Sequence, residues 1–266
     1  MKKLIFSALV ALTMVLMLGS CGSTKNVAYF QNADSVTIVN TLGLYEAKIF
    51  PKDELTITVI TTDPKAAMPF NLSVQQTLGT GGQLSTGGGS LQGYLVDNNG
   101  NIQFPIVGTL HVGGLTKNQA EELIKSKVKP YLAATENPIV TVRMASYRVV
   151  VTGEVTKPGV VYVPQEKMSI IEALAQAGDL TIYGKRENVL LLREDANGVK
   201  RYHRLNLNDA NIINSPYYYL QQNDVVYVEP NKVKAQNSAI GSSTTLWFSA
   251  VGTLISIASL IVNILR

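Results

Sequence analysis

The chain has 266 residues, of which 46% are hydrophobic and only 16% are charged, and its formal net charge is +4. Soluble proteins usually carry about 25% charged residues, and the two ends of this chain account for its low value. Lys2 and Lys3 lie in a segment that we expect to be removed, which leaves 21 of the 23 basic residues against 19 acidic ones. This near balance provides no electrostatic basis for binding nucleic acid.

The first 45 residues indicate a secretion signal followed by a tether. Residues 1–20 combine Lys2-Lys3, an apolar run and small residues before Cys21, which is the arrangement of a secretory signal peptide. Leu18-Gly19-Ser20-Cys21 resembles a bacterial lipobox, and Cys21 is the only cysteine, so no intrachain disulfide can form. We predict that Cys21 is the acylated (palmitate-bearing) first residue of the mature lipoprotein. The alternative is an ordinary signal peptide that ends near a free cysteine. Residues 21–45 are then a polar tether.

Residues 46–146 are predicted to form a first α+β domain. After a turn at Pro51 to Asp53, Leu55, Ile57 and Val59 alternate with polar residues, which indicates a half-buried strand. Residues 62–92 contain two glycine runs, at Gly79–Gly82 and Gly87–Gly89, and few large apolar residues. We interpret them as a long insertion loop that lines a passage or meets a partner.

From residue 93 to residue 144 the pattern predicts strands, a helix and a returning strand. Asp97 to Gly100 precedes Ile102, Phe104 and Ile106 at period two, which predicts a β-hairpin around that turn. A capping box at Thr116 and Gln119 then begins a helix. The apolar positions on one face of this helix are Ala120, Leu123, Ile124 and Val128.

Residues 147–231 are predicted to form a second α+β domain. Ser169 and Glu172 make another capping box, and Gly178 fits the left-handed position that ends a helix. Strand pairs are indicated around Lys157-Pro158-Gly159 and around Asn197-Gly198. Asn223-Asp224 precedes the last strand as Lys52-Asp53 precedes the first, which hints at two related units.

Residues 232–245 are interpreted as a linker and residues 246–265 as a C-terminal transmembrane helix. The segment from Ala235 to Leu265 has no charged side chain, and a helix of 20 residues spans about 30 Å. One stripe of this helix is small or polar and consists of Ser249, Gly252, Ser256, Ser259 and Asn263. One interpretation is a single membrane anchor whose small residues mediate helix contacts.

No catalytic, metal-binding or cofactor-binding arrangement is recognisable. His111 and His203 are the only histidines, and neither has partners at metal-ligand spacing. Glu121-Glu122 and Glu194-Asp195 are sequence neighbours, whereas glycosidases place two carboxylates across a cleft. We predict a protein that is not an enzyme. The tyrosines at 217 to 219 either stack on sugars or, as such clusters before strands more often do, pack in the core and at a strand edge.

Two successions of short motifs carry a family resemblance. The first runs through Gly93-Tyr94, Asp97 to Gly100, Phe104-Pro105, Ile106-Val107-Gly108, Gly113-Leu115-Thr116, Ala120-Glu121 and Asn137-Pro138. It resembles the periplasmic domain of outer-membrane polysaccharide export proteins of the Wza type. The second runs through Val149 to Glu154, Lys157-Pro158-Gly159, Ser169 to Ala173, Ala177-Gly178 and Val189 to Arg193. It resembles the soluble-ligand-binding β-grasp (SLBB) domain. The family has Pro-Gly-Asp where this chain has Pro51-Lys52-Asp53, from which we expect a different turn type.

This resemblance implies an outer-membrane lipoprotein whose bulk lies in the periplasm. The implied assembly is a homo-oligomeric ring, commonly an octamer, that forms a channel for capsular polysaccharide or exopolysaccharide. The implied partners are the polysaccharide, the membrane and an inner-membrane polysaccharide co-polymerase or tyrosine kinase. In this family the C-terminal helices assemble into an α-helical barrel, so the polar stripe would face the lumen or a neighbouring helix.

Two rival interpretations remain beside the channel. One is an envelope lipoprotein that binds glycan or scaffolds an export complex without making a pore. The other is an envelope carbohydrate-active enzyme, which the lack of an active-site constellation disfavours. Oligomer size separates the channel from the binder, and hydrolysis of a polymer would support the enzyme.

Overall fold

The computed structural model of this protein describes residues 27–37, 45–74, 90–195, 198–239 and 242–264. The predicted signal peptide, Cys21 and both glycine runs lie outside these ranges. Within them the chain forms two α+β domains in succession, followed by helices. The predicted α+β class is therefore confirmed.

The first domain is built around one long central strand. Its strands are β1 (Glu54–Ile60), β2 (Ser73–Val74), β3 (Ser90–Leu91), β4 (Tyr94–Leu95), β5 (Asn101–Phe104), β6 (Gly108–His111) and β7 (Ile139–Met144). Its helices are α1 (Pro64–Ala67) and α2 (Lys117–Val128), with 3-10 turns at Met68–Phe70 and Lys129–Tyr131. An antiparallel sheet has the order β4-β1-β7, and β2 with β3 and β5 with β6 form two-stranded ribbons.

The central strand and the long helix form as their residue patterns predict. Alternate side chains of β1 are buried on one face of the sheet. The Thr116 hydroxyl accepts the N–H of Gln119, and the Gln119 side-chain oxygen accepts the N–H of Thr116, so the capping box is present. The helix then buries its apolar face on β7 through Ala120, Ile124 and Val128.

The predicted hairpin around Asp97 to Gly100 is wrong in its strand pairing. The turn exists, because the Gly100 N–H donates to the Asp97 carbonyl at 3.1 Å. However, β4 pairs with β1, and β5 pairs with β6. The hairpin bend falls instead around Ile106, which has φ 65° and is exposed rather than buried. Local turn chemistry specifies a bend, whereas the choice of strand partner depends on the whole sheet.

The segment 62–92 is only partly the open loop that its composition predicts. Asp63 accepts the N–H of Lys65 and caps α1, in which Pro64 occupies the first turn. Phe70 is buried, and the Asn71 side chain bonds both backbone polar groups of Val59, at 2.9 and 2.8 Å. This part of the segment is therefore fixed to β1, while residues 75–89 lie outside the described ranges.

The second domain contains a five-stranded sheet. Its strands are β8 (Arg148–Gly153), β9 (Gly159–Tyr162), β10 (Gly184–Glu194), β11 (Lys200–Leu205) and β12 (Val225–Pro230), with α3 at Ile170–Gln176 and a 3-10 turn at Ala210–Asn214. The strand order is β11-β10-β12-β8-β9, and of these pairs only β12 with β8 is parallel. Both predicted strand pairs, β8 with β9 and β10 with β11, are present.

The helix of the second domain is capped at both ends as predicted. Ser169 and Glu172 exchange the two bonds of a capping box. Leu174 is buried on the face that meets the sheet. Gly178 has φ 74°, the left-handed conformation in which glycine is least strained. These features depend on groups within one helical turn of each other, which is why sequence shows them.

The two domains share one continuous core of buried side chains. At their junction the Glu166 side chain of the second domain accepts the N–H of Met144 of the first domain at 2.8 Å. The Gln222 side chain accepts the N–H of Arg148 at 2.7 Å and donates to the Ser146 carbonyl at 2.8 Å. The bonds from Met144 to Glu166 and from Gln222 to Ser146 thus cross the junction, which helps to hold the domains together.

Part of the predicted tether is docked on the second domain. The Phe30 and Gln31 N–H groups donate to the carbonyls of Leu207 and Asn208, at 3.2 and 2.7 Å. Asn32 contributes a third contact, because its side-chain oxygen accepts the N–H of Ala210 at 2.8 Å. Residues 27–37 are therefore a bound segment that includes a 3-10 turn at Ala33–Ser35.

The C-terminal region contains two helices, α4 (Lys232–Ala239) and α5 (Ser242–Ile264). The predicted linker is thus largely helical. Over the residues that the structure describes, no helix has both the length and the apolarity required to cross a membrane. The prediction of a transmembrane helix over residues 246–265 is corrected accordingly. Ser242 to Thr245 open α5 with hydroxyl side chains, and further serines and threonines recur along the helix.

Candidate functional site

Two turns of the same geometry lead into β1 and β12. Lys52 has φ 72° and Asn223 has φ 64°. The aspartate that follows each of them, Asp53 or Asp224, is 1% exposed. Its carboxylate accepts the N–H of the residue three positions before it, at 2.8 Å in the first turn and 2.7 Å in the second. Lys52 thus adopts a backbone conformation that glycine favours, while a turn type different from that of the family stays a prediction.

The two buried aspartates have different electrostatic surroundings. Arg193 donates to the Asp224 carboxylate through three hydrogen bonds of 2.6 to 3.2 Å. Burial raises the pKa of Asp224, and these bonds oppose the increase. Asp53 has no such cation, and its Oδ1 atom has no hydrogen-bond partner in the described part of the chain. Burial raises the pKa of Asp53 to about 6, although the bond from the Phe50 N–H acts against this.

Asp53→Asn is expected to reduce the pH dependence of stability. The folded pKa of about 6 exceeds the ordinary value of 3.8, so proton binding favours the folded state. This stabilisation is complete below about pH 4 and is lost as the pH rises through about 6, with a total of about 3 kcal/mol. Urea denaturation should find the variant more stable than the natural protein at about pH 7.5 and without that advantage at about pH 4.

A difference between the two proteins that stays the same at both pH values would contradict this account of Asp53. The comparison isolates one group, because every other titratable residue is common to both proteins. The asparagine oxygen can still accept the Phe50 N–H, so the turn keeps its hydrogen bond.

Both turns line one cleft between the domains. The cleft has a volume of about 650 Å³, within the range of about 300 to 1,000 Å³ usual for small-molecule sites. The first domain contributes Phe50, Pro51, Lys52 and Asn98. The second domain contributes residues 221–223 and, from the β10–β11 hairpin, Glu194, Asp195, Gly198 and Lys200. The apolar lining from this domain is the cross-strand pair Leu192 and Val225.

A second concavity lies beside β11 and the run of tyrosines. Its volume is about 380 Å³. The His203 ring stacks on Tyr217 with 3.9 Å between ring centres, and burial lowers the pKa of His203. Tyr219 packs on Tyr45 at 4.9 Å. These tyrosines therefore pack against protein groups, which is the alternative that the sequence pattern favours.

The other sequence-based candidates are placed as follows. Cys21 lies outside the described residues. Along α5 the stripe residues Ser249, Gly252, Ser256 and Ser259 are exposed, while nothing is described of the Asn263 side chain. The Ser256 hydroxyl donates to the Gly252 carbonyl at 2.9 Å, so the helix itself already satisfies part of the stripe's polarity.

The candidates that we rejected have structural partners. His111 lies 3.0 Å from the Asn101 side-chain oxygen. Glu121 accepts the N–H of Val142 at 3.0 Å, and Glu194 lies 3.8 Å from Lys200. Across the described ranges, no cluster of histidine, cysteine and carboxylate side chains is suited to hold a metal ion.

Comparison with known families assigns both domains. Residues 44–145 match the family of polysaccharide biosynthesis/export proteins, and residues 147–228 match the SLBB domain. Residues 44–145 therefore belong to the polysaccharide biosynthesis/export protein family, and an SLBB domain follows them. The resemblance inferred from the motif order is thereby confirmed, including the order of the two domains. The cleft lies where the matched export domain meets the SLBB domain.

Two curated proteins are similar to parts of this chain. The EPS I polysaccharide export outer membrane protein EpsA of Ralstonia nicotianae is 35% identical over 123 residues, which are 44% of this chain and 32% of that protein. The EpsA of Ralstonia solanacearum is 29% identical over 167 residues, or 59% of this chain and 42% of that protein. The matched region thus spans less than half of the length of either relative.

Two features of this site had no individual signal in the sequence. The Arg193–Asp224 pair joins residues 31 positions apart, and Asn98 and Gln221 reach the cleft from different domains. The sequence feature that pointed to this site was the repeated pair Lys52-Asp53 and Asn223-Asp224, each of which precedes a strand. It indicated two related units but not that a turn from each of them lines a common cleft.

Proposed function

We propose that this protein takes part in exporting polysaccharide across the outer membrane. The observation that carries the proposal is the succession of an export domain and an SLBB domain in one chain. Two relatives named as export proteins of the outer membrane support the process and the location. The protein acts at the outer membrane by conducting or guiding polymer, without catalysing a reaction.

We further propose a homo-oligomeric ring with a central passage, docked on an inner-membrane polysaccharide co-polymerase or tyrosine kinase. The shared core of the two domains supports this arrangement, because a subunit that moves as one unit can form a regular ring. Exposed Leu246, Trp247 and Phe248 on α5 support contacts of that helix with neighbouring subunits or other apolar surfaces. The stripe from Ser249 to Asn263 would lie on the side nearest the next helix, where small side chains allow close approach.

The alternative function is a glycan-binding or scaffolding lipoprotein that makes no pore. The cleft between the domains favours it, because a concave site of this volume suits recognition of a short ligand. A ring with the cleft facing its passage would combine binding with conduction. The number of subunits distinguishes the two proposals, because a channel requires a ring whereas a glycan-binding lipoprotein does not.

Deletion of the gene from its host tests the proposed function. Cells without this protein should retain polymer inside the envelope and show none at the surface, and the natural gene should restore surface polymer. Electron microscopy of the detergent-extracted protein should show rings with a central cavity. Normal surface polymer in the deletion strain would overturn the proposal, whereas monomers in cells that export normally would favour the non-pore alternative.

Cys21→Ser is expected to block acylation of the protein. The Cys21 sulfur atom would carry the lipid, and a serine hydroxyl in its place would not be acylated by the same reaction. Metabolic labelling with a fatty acid should mark the natural protein and leave the variant unmarked. Equal labelling of both proteins would show that the lipid, if present, is attached elsewhere.

A further inference from the structure

We propose that the cleft between the domains binds a short, uncharged stretch of the exported polysaccharide. The proposal rests on the export function above and adds the place on the subunit where polymer is held. The cleft-lining residues belong to both domains, so a ligand there contacts the export domain and the SLBB domain at once. A single chain thus supplies the complete site.

The polar lining has the hydrogen-bonding character that sugars require. The side-chain amides of Asn98, Gln221 and Asn223 line the cleft, and in the described part of the chain none of them makes a hydrogen bond to protein. Gln222 differs, since its amide is used at the domain junction. An amide both donates and accepts, as a sugar hydroxyl does, so three unused amides can bond several hydroxyl groups of a sugar chain.

The charges of the lining disfavour a strongly ionic ligand. Lys52 and Lys200 are balanced by Glu194 and Asp195. Three of these four groups already have ion-pair partners on the β10–β11 hairpin: Lys200 pairs with Glu194 at 3.8 Å, and Asp195 pairs with Arg201 at 3.6 Å. A phosphate chain or a nucleic acid would need a net positive surface, and the described lining residues do not provide one.

The apolar lining of the cleft suits the C–H faces of a sugar ring. Leu192 and Val225 are cross-strand neighbours on the half-buried face of the second sheet, and Phe50 and Pro51 approach from the first domain. The C–H face of a pyranose ring is apolar and can cover such side chains while its hydroxyl edge reaches the amides. The combination of an apolar wall and uncharged polar groups therefore favours a neutral saccharide.

The two turns that lead into β1 and β12 allow side chains of the cleft to be removed without disturbing the fold. Lys52 and Asn223 both have positive φ, so Lys52→Gly and Asn223→Gly delete a cleft-lining side chain at positions where glycine is less strained than the natural residue. The thermal midpoint of each variant should equal or exceed that of the natural protein. A loss of binding in these variants would then not result from misfolding.

The test measures binding of short oligosaccharides prepared from the host's own surface polymer to the full detergent-extracted protein, by calorimetry. Asn223→Gly and Asn98→Ala should each weaken binding by about tenfold, the effect of losing one to two hydrogen bonds. Asn99→Ala is the matched control, because Asn99 lies in the same turn as Asn98 but does not line the cleft. It should bind as the natural protein does.

Equal affinity of Asn98→Ala, Asn223→Gly and the natural protein would overturn the proposed site. The proposed site would also be overturned if the natural protein bound no oligosaccharide although export in its host depends on it. The proposed export function would then remain, without this binding site. Variants that bind oligosaccharide normally but lose export would assign the cleft to a protein partner instead. Failure of the deletion test, by contrast, would remove the export function itself.

Discussion

Arg193→Ala is expected to lower the free energy of unfolding by about 3 to 5 kcal/mol, the usual cost of breaking a buried ion pair by removing one partner. Asp224 is 1% exposed, and Arg193 provides its neutralising cation. Arg193 also donates to the part-buried Tyr219 carbonyl at 3.0 Å, so the variant removes a further hydrogen bond of the same guanidinium. Urea denaturation of the purified protein measures the loss.

A double variant provides the control for this prediction. Arg193→Met combined with Asp224→Asn removes both charges, keeps most of the side-chain volume and retains an acceptor for the Gln221 N–H. It should be clearly more stable than Arg193→Ala, because no uncompensated charge remains buried. If single and double variants were equally unstable, lost packing rather than an unpaired charge would explain the effect.

A chain that ends after Lys234 is expected to abolish export while both domains stay folded. The truncation removes α5, whose apolar side chains are exposed on the single chain, Leu254 by 65% and Leu260 by 63%. Exposed apolar surface of this kind marks a contact site, and the proposed ring would cover it. The thermal midpoint of the truncated protein should be unchanged, and polymer at the cell surface, measured by staining, should fall to the level of the deletion strain.

Two single lysine substitutions refine this test of α5. Ile257 lies on the apolar side of the helix and Ser256 on the small-residue stripe, one residue apart and about 100° around the helix axis. Ile257→Lys should disrupt assembly and export, because a charge would replace a covered apolar side chain. Ser256→Lys should retain more of both. Normal export by the truncated chain would show that α5 is dispensable.

Both predictions in this Discussion depend on residues that only the fold or the assembly brings into contact. The sequence pattern predicts that Arg193 is the polar end of a strand and that Asp224 lies in a turn. Neither position shows that the two side chains meet. Their contact follows from the antiparallel pairing of β10 with β12, which places the end of one strand beside the start of the other.

The sequence by itself determined the features whose causes are local. The capping boxes at Thr116 and Ser169, the alternation of buried side chains in β1 and the left-handed Gly178 were predictable, since each depends on groups a few residues apart. The family was also predictable, because the order of its short motifs is itself a property of the sequence.

The tertiary structure alone decided which elements became partners. Turn residues at Asp97 to Gly100 specified a bend, yet β4 joined β1 and β5 joined β6. The polar segment at residues 27–37 bound a surface of the second domain, with Asn32 and Asp209 separated by 177 positions. A local pattern states only that a face will be buried or that a chain will turn. The partner that covers it is selected when distant segments compete to bury apolar surface and pair backbone groups in one core, and the cleft between the two domains exists only as a result of that selection.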